Sequence, residues 1–469
     1  MSCHGSFKNA TIYLVGGFVR DHFMGKIPKD KDYVVVGSNP EEMLSLGFKQ
    51  VGKDFPVFLH PETGDEYALA RTERKTGTGY DGFTCEWEGV TLEEDLRRRD
   101  LTINAIAWDC SRNLGNVYDP FNGREDIKNK VLRPVSDTFK EDPLRCLRAA
   151  RFMSQFPDFT GDASGNLFNY CEELEYELCN TLTPERVWLE TVKAMSTEQP
   201  SDYFLWLSMF GLFPEYTSLT HCPQRVDHHP EYWVGTHTDM VMDYAASTWN
   251  DPEIVFACLT HDFGKPLCWD KFENAHGHEK EGLPFIEDFC DRYKVPNSYR
   301  ALALQTCKYH TKVHGLFGRN NQAWTRPKSI MKLFEDTGAM KHPERFEKML
   351  KACEADAKGR GKVIHEDETK TVQYYLNKPY HQRQYLEECL EVVLDLDTKT
   401  ISGKMIEDGK KGTLIGEAIR VAMISEIRGV QNKWKQKLGT NTQNVEVYTI
   451  MAGRVDCLRK CGLIGKMRY

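Results

Sequence analysis

The chain has 469 residues, 40% hydrophobic and 28% charged. That is enough for about two to four structural units, and no window reaches the roughly 18 to 20 apolar residues of a membrane helix, so no membrane partner is expected. Its net charge of −8 argues against a uniformly basic surface, but the total hides Arg97-Arg98-Arg99 and a tail, 430–469, with eight Lys/Arg against two Asp/Glu.

The start, "MSCHGSFKNAT", lacks the basic-then-apolar form of a signal peptide. Fifteen cysteines without a CxxC pair suit a reducing compartment, so a cytoplasmic location is expected. Up to about residue 135 the pattern is mixed α/β. "IYLVGG" and "YVVVG" are β-branched, glycine-ended runs and read as strands, with a helix beginning near Val19. "EYALARTERK" reads as a third strand and "LTINAIAWD" as a fourth buried segment, while "KTGTGYDGFT", 75–84, reads as a mobile loop. From "EDPLRCLRAARFMSQF" onward apolar residues fall at helical spacing, with Pro143 in a first turn. "TPERVWLETVKAM" opens another helix on Thr183 and Pro184. "HCPQRVDHHPEYW", 221–233, reads as a junction, and helical pattern then runs to about residue 438.

The stretch "LVGGFVRDHFMGKIPKDKDYVVVG" carries chemistry. Residues two apart on a strand share a face, so Asp30 and Asp32 are expected side by side, where two carboxylates repel unless a cation lies between them. A hard divalent ion such as Mg²⁺ suits oxygen ligands and substrate phosphate. Gly16-Gly17 lets backbone N–H groups approach a phosphate, and Arg20 is placed to hold another of its oxygens. The bland alternative is a tight turn followed by a surface charge run.

This stretch is followed in order by "ARTERKTGTGYDGFT", "LEEDLRRRDLTINAIAWD", "YDPFNGREDIKNKVLRPV" and "EDPLRCLRAARF". The series resembles the class II CCA-adding tRNA nucleotidyltransferases of the DNA polymerase beta superfamily, and is most like the bacterial multifunctional proteins that carry an HD domain. The resemblance covers residues 11 to about 438. It implies an α/β nucleotidyltransferase head with a mixed sheet, then a mostly α-helical neck and body containing an HD phosphohydrolase domain. The expected divisions are 11–140, 141–225, 234–338, 339–438 and a basic extension, 439–469. It implies CTP and ATP as substrates, tRNA bound by its acceptor stem and elbow, and a monomer or weak homodimer. Asp30 and Asp32 would hold Mg²⁺, with Glu66 as a third carboxylate, and Gly17, Arg20 and Arg99 would contact the triphosphate.

Asp142 and Arg145 are three apart, which on a helix would make a rigid pair able to meet the Watson–Crick edge of a base as donor and acceptor. Size alone would not separate C from U, whereas a wrong donor left facing a donor costs several kcal/mol when buried. Arg148 and Arg151, on nearly the same side, are expected to reach phosphates. An ordinary helical charge ladder is the alternative.

Nine of the 15 histidines fall between 221 and 314. His310 and His314 share a helix face, and His261-Asp262 is an adjacent pair able to bite one metal. Together with His237 these resemble the HD phosphohydrolases, with Asp356 as the later aspartate. Imidazole and carboxylate ligands favour Ni²⁺, with Co²⁺ or Mn²⁺ as alternatives. Lys265, His276, His278, His310 and His314 are candidates for substrate phosphate. The resemblance implies phosphatase, 2′-nucleotidase and 2′,3′-cyclic phosphodiesterase activity. Rival readings are a poly(A) polymerase, a partial CC- or A-adding enzyme, and a tRNA-binding HD phosphohydrolase with an inactive head.

Overall fold

A computed structural model describes residues 7–28, 30–51, 57–75, 83–110, 116–225, 229–318, 323–363, 371–374, 378–439 and 449–451. Two compact units emerge. The first takes the described residues up to 191 with 206–212, and the second takes those of 192–205 and 213–452.

The first unit is built on a seven-stranded mixed sheet. Its strands are β1 (Thr11–Val15), β2 (Asp32–Val36), β3 (Lys49–Val51), β4 (Val57–Leu59) and β5 (Glu66–Leu69). A separate hairpin, β6 (Thr72–Lys75) with β7 (Phe83–Glu86), intervenes before β8 (Ala107–Asp109) and β9 (Val117–Tyr118) complete the sheet. The order is β3-β4-β5-β2-β1-β8-β9, and β2–β5 is its parallel pair. Val15, Val34, Ala70, Leu96, Ala105 and Ala107 form its packed core, so the apolar alternation of β1 and β2 is what seats the sheet.

Several expectations need correction. Helix α1 spans Gly17–Phe23, two residues earlier than expected, because Gly16 turns the chain at φ 67° and frees the next residue to begin the helix. "EYALARTERK" is two strands rather than one, broken at Ala70-Arg71. "LTINAIAWD" opens with a 3₁₀ turn, Thr102–Asn104, before β8. Asp30 precedes β2, so of the two aspartates only Asp32 lies in the strand. Of the glycine-rich 75–84 stretch, Lys75, Phe83 and Thr84 belong to the hairpin, and 76–82 lie outside the described residues.

The sheet is followed by the helix Leu144–Gln155, then Asn166–Glu173, Glu175–Asn180 and Pro184–Met195. The second unit is helical. Val234–Trp249, Pro252–Thr260, Asn297–His314 and Pro343–Lys358 pack on one another, and His278–Arg292 lies against Asn297–His314. Their facing side chains, among them Val241, Phe256, Leu302, Met349 and Leu350, are buried. The long last helix, Thr413–Gly439, packs on His381–Leu394. Of the basic extension, Thr449–Met451 is described as a strand beside Thr371–Tyr374; most of the remainder lies outside the described residues.

Candidate active sites

In the first unit, Gly17, Arg20, Asp30, Asp32, Arg99, Asp142, Arg145, Arg148 and Arg151 line a single cleft of about 640 Å³. Gly16 supplies bare backbone at its edge: a Cβ there would stand 3.5 Å from both the Asp32 carboxylate and Arg99 Nη1. Glu66, expected as a third carboxylate, is not among the residues lining the cleft, but strand register brings it close. Asp32 pairs with Glu66 across the parallel β2–β5 contact, so the two side chains leave the same face of the sheet. Desolvation pushes the Asp32 carboxyl up; Arg99 opposes this and Asp30 adds to it. A group so placed gains from a cation more than an isolated surface aspartate does.

Arg20 is 6% exposed, donates to Asn104 and Asp21 at 2.9 and 2.8 Å, and lies over the Phe152 ring. The fully buried Asp95 carboxylate takes Arg98 at 2.8 Å and Arg99 at 3.1 Å, which explains how adjacent like charges are tolerated. Arg148 pairs with Asp100 at 2.7 Å. Burial alone would push the Asp100 carboxyl up, but Arg148, with hydrogen bonds from Asn104 and Leu101, holds it well below the usual range. Arg151 pairs with Glu190 at 2.7 Å.

Asp142 differs from expectation. It is extended and stands before the helix, since Pro143 caps Leu144–Gln155, so it does not share a helical face with Arg145. Its carboxylate instead accepts from the Leu144 N–H at 3.0 Å and from Arg186 at 2.8 Å. Arg145 donates to the Thr138 carbonyl. Both are thereby held at the cleft wall by neighbours. The supporting residues Asp95, Asn104, Arg186 and Glu190 were not singled out from sequence, whereas Asp100 was, as part of the Arg98-Arg99-Asp100 run. "TPERVWLE" carried a signal for two of them, an arginine and a glutamate four apart on one helical face.

In the second unit five helices converge on a buried cluster. His237, His261 and Asp356 offer ligand atoms within 4.8 Å of one another, and so do Asp262, His278 and His310. His237 Nε2 lies 3.0 Å from Asp356 Oδ1, and His278 Nε2 lies 3.2 Å from Asp262 Oδ1. Lys265 Nζ is 2.7 Å from Asp262, and His314 Nε2 is 2.6 Å from Asp356. His276 is exposed, with its backbone N–H on Asn274, and belongs to neither trio. His278 and His310, candidates for substrate phosphate, lie with Asp262 in a set that could also hold a metal ion. Glu231, His229, Arg360 and Tyr380 surround the cluster and were not anticipated.

The donor set fits a cation. His261 Nε2 and both Asp262 carboxylate oxygens are buried without a well-aligned hydrogen bond. Burial opposes the Asp262 charge, but His261 and Lys265 hold its carboxyl well below the usual range. Burial pushes His310 down to about 3, so at neutral pH its imidazole is uncharged, the form in which it can be a ligand.

Two glycines let the helices close this tightly. A Cβ on Gly264 would fall 2.1 Å from the His278 carbonyl, and one on Gly282 would fall 2.9 Å from Cys307 Sγ. The first contact brings the start of His278–Arg292 against the His261-Asp262 turn.

Residues 12–133 match the Poly A polymerase head domain and residues 234–333 match the HD domain. Among solved structures, the chain is similar to the CCA-adding enzyme of Bacillus stearothermophilus in complex with CTP, at 20% identity and TM-score 0.58 over 92% of this chain and 95% of that one. It is similar to the Thermotoga maritima CCA-adding enzyme complexed with tRNA, at 18% identity and TM-score 0.56 over 92% and 93%. A CCA-adding enzyme complexed with ATP gives 18% identity and TM-score 0.56 over 94% and 93%.

Proposed function

For a chain that joins a poly A polymerase head to an HD domain on the fold of the CCA-adding enzymes, we propose template-independent addition of C, C and A to the 3′ end of tRNA from CTP and ATP. The observation that carries this reading is the single cleft lined together by Asp30, Asp32, Arg99, Arg148, Asp142 and Arg145.

Asp30, Asp32 and Glu66 would hold Mg²⁺. Bound there, the ion supplies activation of the attacking 3′-hydroxyl and neutralises charge on the departing pyrophosphate. Arg20 and Arg99 hold triphosphate oxygens, and Gly16-Gly17 admits them against bare backbone. Asp142, fixed by Arg186, presents an acceptor and Arg145 a donor to the edge of the incoming base. A base with the wrong pattern leaves one of these groups unpaired, which costs about 1–3 kcal/mol. The related enzymes solved with CTP, ATP and tRNA support these as substrates.

The second reading concerns the histidine cluster. His237, His261, Asp262 and Asp356 would hold a transition metal, with His278 and His310 completing a neighbouring ligand set. Such an ion supplies activation of water for attack on a phosphate ester. Lys265 and His314, already turned toward the two aspartates, orient the ester and balance its charge.

Incubation with tRNA lacking its 3′ end and sequencing of the products tests the first reading. Addition of C, C and A followed by arrest is expected. Long A tails would move the assignment to a poly(A) polymerase, and unextended tRNA would remove every polymerase reading.

A further inference from the structure

Resting on the metal reading of the HD cluster, the geometry points to Glu231 as a positioning residue that selects which nitrogen of His237 faces the metal, with His229 as its support. Glu231 lies in the 221–233 stretch read from sequence only as a junction, before the Val234–Trp249 helix. Its side chain and that of His237 are both fully buried, and its Oε1 stands 3.0 Å from His237 Nδ1. The same oxygen takes His229 Nδ1 at 3.0 Å, and the other oxygen accepts the Gly361 N–H at 3.4 Å.

His237 therefore stands between two carboxylates. Its Nδ1 faces Glu231, and its Nε2 faces Asp356, which shares a trio with His261. A neutral imidazole has one proton, and only the nitrogen without it has a lone pair to give. A buried anion faces each nitrogen, and without an ion the aligned hydrogen bond is the one between Nε2 and Asp356. Once Asp356 gives its oxygens to an ion, Glu231 is the anion left to hold the proton at Nδ1, so that Nε2 presents its lone pair on the side of His261 and Asp356. A carboxylate behind a metal-binding histidine also raises the ring's donor strength. The Nδ1 contact is short but poorly aligned as a hydrogen bond, so the charge of Glu231 matters more than the bond's direction.

A competing role exists. His229, Glu231 and His237 Nδ1 are close enough to hold a cation of their own. Against it, Glu231 already accepts from His229 and Gly361, which leaves His237 Nδ1 as the one atom of that trio without an aligned partner, whereas inside the cluster His261 Nε2 and both Asp262 oxygens lack one. The cation belongs where the groups are unsatisfied.

The test is a Co²⁺ titration of the metal-stripped full chain, competed with a chelator and read by the visible absorption of bound Co²⁺. Glu231→Gln keeps the shape but removes the charge, and its Co²⁺ affinity is expected to fall about 10- to 100-fold with an altered absorption band. Glu231→Asp restores the charge and is expected to recover part of the loss. His229→Gln is expected to lose less, in the same direction, and serves in place of the Gln variant should that fail to fold. Wild-type affinity in Glu231→Gln would overturn the assignment. So would loss of one Co²⁺ equivalent with the remaining affinity unchanged, which would identify a separate cation site. Absence of saturable Co²⁺ binding in the wild type would instead remove the underlying metal reading.

Discussion

Asp32 is held against its own preference. Desolvation and Asp30 favour the protonated acid, while Arg99 and Arg148 work the other way. Because its proton persists to higher pH than that of a free aspartate (about 3.9), protons and Mg²⁺ compete for it. Lowering the pH should raise the Mg²⁺ concentration needed for half-maximal nucleotide addition, the effect setting in at a higher pH than it would for a free aspartate, with a smaller change in the rate at saturating Mg²⁺; rate titrations at several pH values check this. Asp32→Asn should abolish addition without lowering the melting temperature, since an acid with a raised folded-state pKa opposes folding when ionised. Asp95 is the opposite case. Burial would raise its pKa, but Arg98 and Arg99 hold the carboxyl below the usual range. Its stabilising contribution is present above about pH 4 and is lost as pH falls through the depressed value. Asp95→Asn should cost about 3 kcal/mol in denaturant unfolding and weaken CTP binding, because Arg99 loses its anchor. Motif residues such as Asp32 and Arg99 were legible in the sequence because they sit in short, typed runs. Asp95 was not, because a buried anchor in "EEDLRRR" looks the same as its solvated neighbours until the helix Leu92–Arg97 shows which acid turns inward.

Elements deliver these side chains, and their contact distances are set by small residues. Gly264 and Gly282 occupy the approach between the His261-Asp262 turn and the helix His278–Arg292, with backbone where a Cβ would have to go. Gly282→Ala should destabilise the second unit by about 1–3 kcal/mol through overpacking and weaken metal binding by displacing His278 from Asp262. Thermal unfolding and Co²⁺ titration check the two halves of this expectation. The periodicity that announces an amphipathic helix was readable for Leu144–Gln155 and for the helix beginning at Pro184. Boundaries were less so: Asp142 falls off its helix because Pro143 starts it, a single-residue matter that decides whether the acid pairs along a helical face or is gripped by Arg186. The strand pairing that puts Glu66 beside Asp32 was also hidden, because parallel partners 34 residues apart leave no local pattern.

Across the whole molecule, each of the two candidate sites is lined by residues of its own unit. Asp30→Ala should therefore abolish nucleotide addition and leave phosphodiesterase activity intact, and Asp262→Ala should do the reverse; a loss of both activities in either variant would refute two independent sites. Fold class was the most legible property of all, since the order of motifs orders the elements, whereas the surroundings of the histidine cluster had to come from packing. Asp356 also sets a schedule, because it enters its site 119 residues after His237. On the ribosome, a nascent chain has the lining of its first cleft in hand by Gln155, while the HD pocket stays incomplete until Asp356 has left the exit tunnel. Loading of the proposed metal would thus be a late event in the life of each polypeptide.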